Sequence, residues 1–231
     1  MLLVYIVLLI AIVVILLILY MHRLFPVTDK SMDSIYDLAE TGDVVFFVHE
    51  HAYPMFKYIR PFMSHIAMII VLPKTNKKYV IEIHAEGDKK RLGVNKKGGV
   101  NMYPLEWRVN NYIGKTYLAK LNTQNKPSYQ DIIRFVNKIP HYKQKIQFEE
   151  NFKEHAFKRI LKNITGLSVV PDKTDTMFCT TFVGYCLQKL NIIDDNTSHK
   201  DIILPVDFLF LKNRHDKKLF NKFYLFSIQH V

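Results

Sequence analysis

The sequence predicts an α+β domain carried behind one membrane-spanning helix. Residues 1–21 are apolar without interruption. Apolar runs of strand length, separated by turn residues, fill the stretch from Asp43 to Leu121. Beyond Pro127 the apolar spacing changes to i, i+3, i+4, the helical period. Strands first and helices after is the order of an α+β domain rather than of a doubly wound sheet. The 231 residues carry 32 Lys and Arg against 21 Asp and Glu, a net charge of +11, all of it behind the apolar segment. That balance excludes a polytopic membrane protein and a disordered chain, and the leading segment argues against a fully soluble one. The two cysteines exclude a disulfide framework and a Cys-rich zinc site.

Residues 1–21 (MLLVYIVLLIAIVVILLILYM) would span about 31 Å as a helix, close to the ~30 Å hydrocarbon core of a bilayer. The segment has no basic n-region, and neither a small-residue cleavage site nor a lipoprotein cysteine follows it. Arg23 and Lys30 follow the span closely, and no Lys or Arg precedes it. The positive-inside rule therefore places the domain in the cytoplasm of a single-pass protein, or inside a virion membrane if the chain is viral. The sequons at Asn163 and Asn196 would matter only in the opposite topology.

Residues 22–40 read as a linker with a short helical turn, and the domain as 41–231. Asp43 to Val48 is a buried strand. Residues 49–63 are an aromatic loop broken by Pro54 and Pro61. Ser64 to Leu72 is a second strand, and Lys78 to Ala85 a third after the Pro73–Asn76 turn. Gly87 to Gly99 is a basic loop. Val100 to Leu105 and Thr116 to Leu121 are shorter strands. Pro127 opens a helix with Ile132, Ile133, Phe135, Val136 and Ile139 on one face. Residues 147–162 form a charged helical insertion. Phe178 to Leu190 is the last helix, with Phe182, Val183, Cys186, Leu187 and Leu190 on its apolar face.

Cys179 stands just inside the start of that helix, with Asp175 or Thr176 as candidate cap. A cysteine in a first helical turn meets the positive end of the macrodipole and unpaired backbone N–H groups, which favour thiolate. The same N–H groups can hold an oxyanion. His65 opens the second strand, sharing a face with Ala67 and Ile69. Glu82 and His84 share a face of the third strand, since they are two residues apart. An adjacent antiparallel strand would bring one of them beside His65, giving nucleophile, base and orienting group.

The order TGDVVFF, SHIAMII, YVIEIHA, the Gly98-Gly99-Val100 loop, MFCTTFVGYCL and LPVDFL resembles the circularly permuted NlpC-type papain-like superfamily. That group includes YiiX-like bacterial proteins, lecithin:retinol acyltransferase-like enzymes and proteins of large DNA viruses. The resemblance runs from about Thr41 to Leu209. It implies an antiparallel sheet packed on helices, with Cys179 as nucleophile, His65 as base and Glu82 as orienting acid. Thr180 follows the cysteine where bacterial members often have Ser, and the stretch of about 142–177 has no counterpart.

Asp43 reads as a structural acceptor, Asp207 as a turn residue and Cys186 as core. A metal site built from His49, His51 and His65 lacks a carboxylate or cysteine at a recurring spacing, and no cofactor is implied. Lys89, Lys90, Arg91, Lys96 and Lys97, with Lys212, Arg214, Lys217 and Lys218, suit an anionic lipid surface. No nucleic-acid-binding motif accompanies that charge. The leading expectation is a membrane-anchored cysteine hydrolase or acyltransferase acting on an amide, ester or thioester of a lipid, lipid-modified protein or peptide. The competing ones are a non-catalytic membrane-tethered structural protein, such as a virion component, and a lipid-head-group binding module.

Overall fold

The structure, a computed structural model, describes residues 5, 8, 9, 12, 16, 27–49, 65–85, 98–122, 126–148, 176–194, 208 and 219–227. In chain order the elements are β1 (Val27–Ser31), α1 (Met32–Leu38), β2 (Val44–His49), β3 (His65–Val71), β4 (Lys78–His84), β5 (Gly99–Pro104), α2 (Leu105–Asn110), β6 (Gly114–Leu121), α3 (Tyr129–Lys145), β7 (Gln147–Phe148), β8 (Thr176–Met177), α4 (Cys179–Lys189) and β9 (Phe220–Ser227). The class is α+β, with a mainly antiparallel sheet and helices.

The seven-stranded sheet has the order β1-β9-β6-β2-β3-β4-β5, and only the β1–β9 pair in it is parallel. Both faces of this sheet are covered, which is why β2 and β3 are continuous apolar runs rather than alternating ones. Val44, Phe46, Ile66, Met68, Ile81 and Ile83 pack with α3 and α4. Val45, Phe47, Ala67, Ile69 and Val80 pack with Ile35 of α1 and Leu105 and Val109 of α2. Alternation along each strand divides the two cores.

Two devices set the start of β2. Gly42 has φ +95, and a Cβ there would lie 2.6 Å from Cδ1 of Ile192. Asp43 then accepts hydrogen bonds from the backbone N–H of Glu40 at 2.7 Å, the N–H of Leu121 at 2.8 Å and Lys120 Nζ at 2.7 Å. One buried carboxylate thus ties the start of β2 to the end of β6, the structural role expected of it. Burial nevertheless pushes Asp43 up to about 6, against the opposing charge of Lys120.

Several expectations change. The stretch 22–40 contains an edge strand and a helix instead of only a linker turn, with Ile35 and Ala39 buried. Lys78 Nζ donates to the carbonyl oxygens of Tyr36 and Asp37, and Lys120 Nζ to that of Leu38, so two sheet lysines hold the C-terminal turn of α1. The helix after Pro127 begins at Tyr129, capped by Ser128, whose Oγ accepts from the Asp131 N–H. Ile132 and Val136 pack on the core beside Phe135 and Ile139, but Ile133 does not join that cluster. Residues 142–145 continue this helix, and 147–148 form a strand paired with β8. Neither α2 nor β9 was expected.

Tyr5, Leu8, Leu9, Ile12 and Leu16 are helical and each is more than half exposed. Among the described residues no helix is long and apolar enough to cross a membrane. The aromatic loop begins after His49, the last residue of β2, and the basic loop ends before Gly99, the first of β5; the rest of both loops apart from Gly98, the rest of 1–21, Asp207, the lysine-rich tail segment and residues 149–175 lie outside the described residues.

Candidate active site

His65 is the first residue of β3, and the β3–β4 ladder runs antiparallel from Met68 opposite Ile81 to Val71 opposite Lys78. Glu82 follows Ile81, the last residue of β4 paired with β3, and is itself paired with Asn101 of β5. There its Oε2 lies 2.8 Å from His65 Nε2, with His65 4% exposed and Glu82 0%. Glu82 Oε1 accepts a second hydrogen bond, at 2.8 Å, from Arg108 Nε, also 0% exposed. The guanidinium lies 4.1 Å from the Phe47 ring centroid and 5.4 Å from that of Tyr112, and the Phe47 ring also packs on His65 at 5.8 Å.

Cys179, partly buried, is the first residue of α4, and its side chain acts on the charge of the His65 imidazole. The imidazole therefore joins the two layers. Glu82 and Arg108 hold it from the α2 side, and the sulfur meets it from α4. An ionised Glu82 can only accept, so His65 Nε2 carries a proton in either charge state and Nδ1 is the nitrogen left to exchange one with the thiol. Phe178 is the N-cap of α4 and supplies no side-chain bond. It replaces the expected Thr176, which lies in β8, and the expected Asp175, which is outside the described residues. Among the described residues no capping side chain competes for the amides around Cys179.

The charges support one another. Burial alone would lower His65; the charge of Glu82 and then the neighbouring Cys179 outweigh it and raise the imidazole to about 9. Burial alone would raise Glu82; the charges of Arg108 and then His65 hold it down at about 2. His84 belongs elsewhere. Its Nδ1 donates to the Ala85 carbonyl at 3.1 Å, and its Nε2 accepts from Asn101 Nδ2 at 3.2 Å, with the Tyr103 hydroxyl 3.3 Å away. Burial lowers it, leaving a neutral ring. Of the two candidates for third residue, Glu82 is the one bonded to His65.

Cys186 is fully buried in the core, and burial pushes its thiol well up. Among the described residues no group of three or more His, Cys, Asp or Glu is placed to hold a metal ion. The His49 side chain and His51 lie outside them. Sequence reasoning missed Arg108. Its signal was an arginine three residues after Leu105 and beside Val109, on the apolar side of a short helix, where a charge calls for a buried counter-ion.

No family model matches this chain, and no curated protein matches it. Among solved structures it is similar to the metalloprotein YiiX from Escherichia coli O157:H7, with 13% sequence identity and a TM-score of 0.38, over 82% of this chain and 89% of that one. YiiX is thus a distant structural neighbour.

Proposed function

We propose that this protein is a membrane-anchored cysteine hydrolase or acyltransferase on a permuted papain-like domain. The observation that carries the proposal is His65 fixed by a buried carboxylate, with Cys179 standing at the N-terminus of α4 and acting on the imidazole charge. His65 Nδ1 takes the proton of Cys179 Sγ. The sulfur attacks the carbonyl carbon of an ester, amide or thioester, and the N-terminal amides of α4 receive the oxyanion. The tetrahedral intermediate collapses with cleavage of the acyl bond. The leaving group departs with the proton from His65, leaving a thioacyl-enzyme. Water or an amine, deprotonated by His65, attacks the thioester and regenerates the thiol. Glu82 stabilises the imidazolium throughout.

The apolar segment 1–21 and the positive charge behind it favour an acyl group presented at an anionic membrane surface, either a lipid or a lipid-modified protein. A peptide amide is the other substrate class open to the same chemistry. The test is the pH dependence of iodoacetamide alkylation of Cys179 in the full chain in detergent micelles, with Cys186→Ser. The reactive wave is expected to move to higher pH when His65→Ala is added. A Cys179 that alkylates only on unfolding would overturn the reading and favour a non-catalytic protein tethered at the membrane.

A further inference from the structure

We propose that Arg108 is a positioning residue for Cys179 chemistry, holding Glu82 in the form and orientation that leave His65 Nδ1 open to the thiol. The inference rests on the function proposed above. Each oxygen of Glu82 has its own partner, Oε1 taking Arg108 Nε and Oε2 taking His65 Nε2, both at 2.8 Å. Arg108 is itself held between the rings of Phe47 and Tyr112. The carboxylate therefore cannot turn without breaking one of two buried charge-assisted bonds.

The chemical consequence is a choice of tautomer. Paired with Arg108, Glu82 is acceptor-only and keeps a proton on His65 Nε2 whether the ring is neutral or protonated, so that Nδ1 is the nitrogen that exchanges a proton with the thiol. With Arg108 removed, a buried Glu82 can share the proton of its one remaining partner. A protonated Glu82 donates to Nε2, which moves the ring proton to Nδ1, where it faces the sulfur and blocks proton abstraction. Among the described residues, the other titratable groups whose charges act on this trio are His84 from β4, Tyr103 from β5 and Cys179 from α4. None of these is a carboxylate that could replace Glu82 as acceptor.

The experiment uses the full chain in micelles with Cys186→Ser, probed with iodoacetamide across pH 5–9 and by 15N spectra of labelled histidine. With Arg108→Met, alkylation of Cys179 near neutral pH is expected to fall roughly tenfold, as thiolate formation loses its base, and the His65 Nε2–H signature to be lost. Arg108→Lys, which keeps the charge, is expected to recover most of the rate. A residue that only supports the fold would change the amount of folded protein and leave the profile and tautomer of the folded fraction in place. If Arg108→Met does not fold, Glu82→Gln with Arg108→Met removes both buried charges together, and its slow alkylation is the expected result. A wild-type profile in either folded variant overturns the role of Arg108. A parent profile that His65→Ala leaves unmoved overturns the proposed function instead, so the two failures are distinguishable.

Discussion

At the scale of single residues, His65 couples the fold to pH. Its folded value lies above the ordinary 6.5, so the folded state holds this proton more tightly than the unfolded chain. The resulting stability is fully present below about pH 6.5 and is lost as pH rises through about 9. Urea unfolding across pH 6–10 should show this decline in the parent, and His65→Gln should flatten it. Glu82 has the opposite sign. Held below its usual 4.5, it contributes stability present above that value and lost as pH falls through about 2. Glu82→Gln leaves Arg108 buried without its counter-charge, and a loss of about 3–5 kcal/mol is expected. An unfolding midpoint unchanged from the parent would contradict a water-excluded ion trio. Composition and spacing identified Cys179 and His65 as candidates because a first-turn cysteine and a strand-start histidine are local features. They left Glu82 and His84 tied, because two residues on one strand face are equivalent until the neighbouring strand is placed.

At the scale of elements, the entry into β2 is the most constrained local structure. Gly42→Ala would ask a left-handed position to accept a side chain and would press its Cβ on Ile192 and Leu121. A loss of more than about 1 kcal/mol in chemical denaturation is expected, where glycine-to-alanine changes at compatible sites are stabilising. Ser128→Ala removes the cap of α3 and should cost about 1 kcal/mol by the same measurement, with no change in Cys179 alkylation. The strands β2, β3 and β4 and the helix α4 were legible because each is a run long enough to show its period and each is bounded by turn residues. Helix α2 was not, since six residues cannot display a 3.6-residue repeat. Strand β9 follows a lysine-rich stretch and mixes Lys222 and Asn221 with aromatics, so its pattern alternates poorly. Its place is decided by pairing with β6 and β1.

At the scale of the whole molecule, β1 and α1 make the stretch behind residues 1–21 part of the domain. A chain beginning at Thr41 would lose the strand that covers the β9 edge and the buried Ile35 and Ala39. It is expected to aggregate or to lose its cooperative unfolding transition, whereas a chain beginning at Arg23 keeps both, as gel filtration and thermal unfolding would show. The membrane reading is tested separately. The full chain should stay with vesicles after alkaline carbonate washing, and the chain beginning at Arg23 should be released.

What the sequence by itself determined is the local chemistry: a thiol at a helix start, a histidine at a strand start, acids on the next strand, and an apolar segment long enough for a bilayer. Those are properties of neighbouring residues, and period and capping express them directly. What only the tertiary structure decided is which groups meet. Beyond the β3–β4 ladder, which ends at Met68 opposite Ile81, it is the packing of side chains that turns Glu82 onto His65 and His84 onto Asn101 and Tyr103. The return of α2 over the sheet supplies Arg108, twenty-six residues away from the carboxylate it holds. Strand register and helix placement come from the summed burial of two cores, a quantity that no single stretch of the chain contains.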